Sequence, residues 1–247
     1  MKSIVLGAIL LLFAAAMSLL SDNRERIYDC FISDNMGEWK KIIDEIDKQS
    51  QMTNQQRLEL VNYQYGYIAW CMGKKKYKLA EQYLEKAESN LTYLENKKYS
   101  LSTLCVYRSI FYGYRVGISR WQAPFLASKI VDYSKQAAKL DSNNWFAYMQ
   151  LGNVDFYTPT FMGGSKSNAL KLYLKAEKLL ESNKSNLINN WNYLNLLTVI
   201  GNTYLELKNY SLAKKYYDKA LSIEPNFYWI KVELYPILNS KINSQNE

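Results

Sequence analysis

Beyond an apolar opening, the chain alternates between segments whose apolar residues recur with helical period and short polar breaks. That pattern predicts amphipathic α-helices paired across tight turns. The first pair falls at Arg24 to Ser33 and Trp39 to Lys48, and the second flanks Gly73-Lys74-Lys75-Lys76. A third spans Val106 to Leu140, with Pro124 opening its second helix. A fourth is broken by FYTPTFMGGSKSNAL at residues 156 to 170, and a fifth ends at Pro225. An amphipathic helix from Asn226 to Asn243, interrupted by Pro236, closes the series. Only ten Gly and four Pro punctuate 247 residues, too few for a many-turned β-sandwich. The expected class is all-α.

The fifth pair has an internal grammar. Gly201, Tyr204, Ala213, Tyr217, Ala220 and Pro225 occupy relative positions 8, 11, 20, 24, 27 and 32 of a 34-residue frame. Small residues at 8, 20 and 27 let two antiparallel helices approach closely, and the large rings fill the gaps beside them. This stretch, residues 194–227, resembles the tetratricopeptide repeat (TPR). Looser copies place Gly66, Ala80, Leu84 and Ala87, and then Gly152, Ala169, Tyr173 and Ala176, at equivalent positions. Gly113, inside a Tyr-Gly-Tyr that echoes residues 65 to 67, is the counterpart in the third pair, whose second helix has an ambiguous register. The resemblance implies a right-handed superhelix of about five hairpins with a C-terminal capping helix, one domain over residues 19–247.

In such an array the first helices of the pairs line a concave groove. Counting from the four glycines, that groove includes Tyr63, Tyr67, Trp70, Tyr107, Tyr114, Phe146, Met149, Asn153, Phe156 and Asn202. The lining is aromatic with amides at one end, and it lacks the Lys and Arg cluster that would clamp a peptide carboxylate. It suits a protein partner in the cell envelope, or a small apolar or sugar-like ligand held by stacking. The alternative is that a superhelix this short closes and the rings pack as core.

The loop at residues 156–170 is not a phosphate-binding loop. Gly164-Ser165-Lys166 breaks the required order, and the residues before it read as helix rather than strand. Pro159 ends one helix, Gly163 and Gly164 supply positive φ, and Ser165 caps the next helix. Phe161 and Met162 make the loop apolar enough to overhang the groove and touch what binds there. A Pro-x-x-x-Gly-Gly loop at this place resembles one in exported bacterial TPR proteins, distantly including those that accompany TRAP-type solute transporters. This chain lacks their lipid-attachment cysteine.

Composition removes most catalytic chemistry. With no His the chain cannot build a Ser-His-Asp or Cys-His centre or the common zinc sites, so no enzyme, metal or cofactor is expected. The net charge of +8 is spread out, Lys74 to Lys76 with Lys78 being its densest run. That run reads as a solvated turn, with anionic lipid or polysaccharide as the sharper alternative. No nucleic-acid motif accompanies it. Residues 1–18 pair Lys2 with an apolar run ending in small residues, which predicts a cleaved signal peptide and export to a periplasm or beyond. An uncleaved anchor, the one expected membrane contact, is the rival. Of the three cysteines, Cys71 and Cys105 belong to opposite ends of parallel helices, so any bridge should join Cys30 to Cys71.

Overall fold

The computed structural model describes residues 22–246, and the predicted signal segment lies outside them. Helix α1 covers residues 22–33. It is followed by α2 (Met36–Asp47), α3 (Asn54–Gly73), α4 (Tyr77–Asn96), α5 (Leu101–Ile118) and α6 (Ala123–Leu140). The series continues with α7 (Trp145–Tyr157), α8 (Lys166–Glu181), α9 (Trp191–Glu206), α10 (Tyr210–Ile223) and α11 (Tyr235–Asn246). Consecutive helices pack as hairpins, α3 on α4, α5 on α6, α7 on α8 and α9 on α10, and the described residues form an all-α, TPR-like solenoid. None of these helices is long and apolar enough to cross a membrane.

Local signals set the boundaries. Thr53 and Gln56 form a reciprocal capping box at the start of α3, while Asn35, Asn144, Ser165, Asn190 and Asn209 cap their helices through side-chain oxygens. Three hairpin turns share one stop signal. Asp34, Lys75 and Lys208 take left-handed φ values of 56°, 58° and 59°. The next N–H reaches back in each case, Asn35 to the Cys30 carbonyl, Lys76 to that of Cys71 and Asn209 to that of Tyr204. These bonds satisfy carbonyls that a helix end would leave open.

Inside the hairpins the small-large-small pattern does the packing. Ala80, Leu84 and Ala87 of α4, Ala169, Tyr173 and Ala176 of α8, and Ala213, Tyr217 and Ala220 of α10 are fully buried. A Cβ on Gly152 would lie 2.4 Å from the Tyr173 ring, and one on Gly201 would lie 2.5 Å from the Tyr217 ring. Only glycine admits those tyrosines. Gly66 and Gly113 do different things. Gly66 faces Trp39 and Trp191 rather than α4, and nothing lies within 4 Å of a Cβ on Gly113. The contact between α5 and α6 is instead made at Ser109, whose hydroxyl donates to the Ile130 carbonyl at 2.7 Å.

Pro236 does not break the last helix. The six residues Trp229–Leu234 form a π-helical stretch directly before it, and α11 then continues. The wider turn accommodates a residue that has no N–H and would clash with the carbonyl four residues earlier.

Cys30, Cys71 and Cys105 are buried free thiols, so the Cys30–Cys71 bridge, the pairing expected if any formed, is absent. Cys30 and Cys71 occupy the same place in two separate stop signals, each thiol packed inside its own helix end. Burial pushes both up to about 11. In the native protein at mildly alkaline pH, alkylation of these two by iodoacetamide should be on the order of 100-fold slower than for a free thiol. Unfolding should expose all three, a difference that mass spectrometry of the alkylated chain reads directly.

Candidate functional site

The superhelix closes on itself. Trp39 of α2 meets Trp191 of α9 with ring centroids 5.2 Å apart, and Phe31 of α1 touches both Trp191 and Phe227. Polar contacts fasten the same seam. Arg24 donates to the Ile188 carbonyl at 2.8 Å, Asn192 donates to Asn62 at 3.1 Å, and the Tyr28 hydroxyl donates to Glu224 at 2.8 Å. The concave face is therefore narrow, and its centre is filled. Tyr65 of α3 stacks on Tyr114 at 6.2 Å and touches Tyr107, Phe146 and Trp191.

A cavity of about 260 Å³ remains at the seam between α1, α2, α3, α9 and the C-terminal cap. Its walls are mostly rings: Phe31, Trp39, Tyr65, Trp70, Trp191 and Trp229. Gly66 forms part of the wall because a side chain there would collide with two of them. Charges sit at one edge, where Lys74 pairs with Glu233 at 3.1 Å and Asp34 lies beside them. Burial holds the Asp34 carboxyl above its ordinary range, against the opposing pull of Lys74. The Trp191 indole, 4% exposed, has no acceptor for its N–H. The Trp70 N–H is directed toward Asp34 but falls short of hydrogen-bond geometry. Buried donors without partners are uncommon. Both indoles belong to residues that line the cavity, but each nitrogen is itself covered by protein.

The groove residues expected from sequence divide into groups. Tyr107, Tyr114 and Phe146 do meet at the axis, and Trp70 lines the cavity. Tyr63 and Met149 are buried in the core. Tyr67 turns toward Tyr83 of α4, 4.8 Å between centroids, rather than toward the axis. Asn153 and Asn202 are held inside their own hairpins, accepting from the Tyr173 hydroxyl at 2.8 Å and the Tyr217 hydroxyl at 2.6 Å. Phe156 is half-buried beside the Lys166 ammonium. Tyr65, Trp39, Trp191 and Phe31 escaped the sequence reading. Tyr65 carried a usable signal, since it precedes Gly66 in the Tyr-Gly-Tyr that recurs at Tyr112 to Tyr114.

The loop after α7 is built as a fixed prong. Of the two glycines expected to take positive φ only Gly163 does, at 96°; Gly164 is required by space instead, since a Cβ there would lie 1.8 Å from the Thr158 carbonyl oxygen. The Gly164 and Ser165 N–H groups donate to the carbonyls of Pro159 and Asp155. Phe161 and Met162 point outward, 89% and 62% exposed. They do not pack over the axis. Tyr157, at the end of α7, is 78% exposed and meets Phe156 edge-on, 5.0 Å between ring centroids.

Chemically the site is neutral. Burial drives the Tyr65, Tyr107 and Tyr114 hydroxyls far above the ordinary tyrosine value, so they remain protonated and act as hydrogen-bonding groups. Asp155 is raised by burial. Among the described residues no group of three metal-ligating side chains comes together. The arrangement can stack and hydrogen-bond a guest, and it presents no activated nucleophile.

Comparison with known proteins agrees with the architecture. The tetratricopeptide repeat family model matches residues 195–227, so the chain carries a TPR at α9 and α10. Among solved structures, the HusA haemophore from Porphyromonas gingivalis is similar in fold, with a TM-score of 0.61 at 17% identity. The match covers 75% of this chain and 93% of that one. No curated protein sequence is significantly similar.

Proposed function

We propose that this protein is a non-catalytic, exported binding protein that takes a flat, apolar or sugar-like small ligand into the aromatic seam between its first and last hairpins. The observation that carries this reading is the cavity of about 260 Å³ with aromatic rings in its walls. Rings bind flat faces by area and stacking. The fold shared with a haemophore supplies a precedent for a ligand carrier on this scaffold. The volume limits the guest. It lies below the ~300–1,000 Å³ typical of sites that enclose drug-sized molecules, so a tetrapyrrole would be gripped by one edge and a one- or two-ring solute enclosed. Export rests on the apolar residues 1–18.

Thermal melting in the presence of haemin, and separately of indole, tests the reading. One of these probes should raise the melting temperature in a concentration-dependent way, because a ligand bound only by the folded state stabilises it. In Trp70→Ala, which removes a half-buried wall, the rise should disappear while the unliganded protein still folds. If neither probe moves the melting temperature and the protein leaves the cell envelope without a bound small molecule, the reading fails.

The TPR match favours a second reading, a module that holds a protein partner in the cell envelope. The filled axis leaves no open channel for an extended peptide, so such a partner would dock on the outside.

A further inference from the structure

The turns that follow α1, α3, α5, α7 and α9 lie together at one end of the superhelix. Gly117 near the end of α5 abuts Met72 near the end of α3, α5 packs on α7, and Lys166 pairs with Glu206 at the end of α9. Lys74, in the turn after α3, pairs with Glu233 of the C-terminal cap, bringing that segment to the same end.

This end differs from the other in what it exposes. Six large hydrophobic side chains among the described residues are more than 60% exposed, and five of them are here: Trp121, Phe125, Tyr157, Phe161 and Met162. The sixth, Ile188, lies at the opposite end. The five turns, 34–35, 74–76, 119–122, 158–165 and 207–209, also carry five basic residues, Lys74, Lys75, Lys76, Arg120 and Lys208, against Asp34, while Glu206 and Glu233 at the same end are paired with Lys166 and Lys74. The opposite turns, 48–53, 97–100, 141–144 and 182–190, are also basic, with four cations against one acid, but carry no comparably exposed ring. Lys75, Arg120 and Lys208 take part in no ion pair among the described residues. Their charge is available to an outside partner.

We propose that this end docks on the surface of an anionic lipid bilayer, with Trp121, Phe125 and Phe161 entering the interface and the cations facing the headgroups. The shape favours a bilayer over a protein. The exposed side chains form two projections, Trp121 against Phe125 at 6.4 Å between centroids and Phe161 with Met162 on the loop after α7. Arg120 adjoins the first, and a fluid surface accepts such projections without a matching contour. A protein partner would need a recess for each. Aromatic side chains settle at the headgroup level, and neighbouring Lys and Arg add attraction to anionic lipid that falls with salt. The prong at Phe161 is held rigid by Gly163 and Gly164, so its exposure is built into the turn. Docking does not depend on the ligand reading. If both hold, the charged edge of the cavity at Asp34, Lys74 and Glu233 faces the membrane.

The test is sedimentation with vesicles, using the chain without residues 1–18 so that the apolar opening cannot bind lipid by itself. Among the described residues the buried core runs from Ile27 to Leu238. Vesicles of phosphatidylcholine with phosphatidylglycerol should bind the protein, and vesicles of phosphatidylcholine alone should bind it at least tenfold less well. Trp121→Ser with Phe161→Ser should weaken binding to the anionic vesicles by more than tenfold, as should Lys75→Gln, Arg120→Gln and Lys208→Gln together. All these positions are exposed, so the melting temperature should stay where it is in the parent. Failure to bind anionic vesicles overturns the proposal. So does an aromatic variant that binds as tightly as the parent, or recovery of a protein partner at this end in place of lipid.

Discussion

Trp39→Ala is expected to destabilise the protein by about 3–5 kcal/mol, the range for truncating a large buried aromatic side chain. Trp39 is fully buried in the first turn of α2, and its ring contacts Phe31 and Trp191. Its indole N–H donates to the Tyr63 carbonyl at 3.0 Å, tying α2 to α3. Truncation opens a void next to the existing cavity and removes the surface on which Trp191 rests. The first hairpin then loses much of its hold on the last. Trp121→Ala is the control: that ring is 71% exposed, and its loss should change stability by no more than about 0.5 kcal/mol. Urea denaturation followed by circular dichroism compares the two through their midpoints. Equal shifts would mean that the seam contributes nothing to stability.

Gly66→Val tests the same seam from the opposite direction, by adding volume. A Cβ at residue 66 would lie 2.7 Å from Trp39 Cζ2 and 2.8 Å from Trp191 Cη2. Both atoms belong to rings fixed by their neighbours, so neither can swing away as the end of a methionine could. Overpacking of this kind costs about 1–3 kcal/mol, and here it also fills the wall of the cavity. Gly66→Val should therefore lower the denaturation midpoint and abolish the ligand-induced rise in melting temperature together. Gly113→Ala should do the reverse. It is a helical glycine with nothing within 4 Å of its Cβ, and alanine should stabilise α5 by about 0.5–1 kcal/mol. Two glycines in the same Tyr-Gly-Tyr setting thus carry opposite signs, a contrast that no local propensity scale predicts.

That contrast shows where sequence reasoning stops. The hairpin of α9 and α10 was legible because its determinants are local: Gly201, Ala213, Tyr217 and Ala220 pack against one another across a short turn. The same holds for Gly152 with Tyr173, once the five extra residues of the intervening loop are allowed for. Gly66 and Gly113 look alike in sequence, but what meets them is set by tertiary closure, and Trp191 belongs to a distant hairpin. Asn153 and Asn202 read as groove amides although a hint was present. Each directly follows a glycine that admits a tyrosine, and each accepts from that same tyrosine. The cavity was illegible for the same reason as Gly66. Its walls come from both ends of the chain, and only superhelix closure makes Phe31, Trp70 and Trp229 neighbours. The π-helical stretch before Pro236 follows from a covalent rule, yet the choice between breaking and widening the helix depends on the buried contacts of Phe227, Ile230 and Leu238.

Closure also separates the two ways such a scaffold can bind. An open superhelix presents its concave face to a chain, whereas a closed one has only its seam and its rims. Here Tyr65, Tyr107 and Phe146 fill the axis, the seam keeps a ring-walled cavity, and one rim carries exposed aromatics among cations. Binding of a small guest at the seam is the central claim. Native mass spectrometry of the protein, purified gently from its own cell envelope, tests it most directly. An added mass below about 1 kDa, released when Trp70 is replaced by Ala, is the result expected of a cavity of small-molecule size. A whole co-purifying polypeptide with no small molecule attached would contradict it.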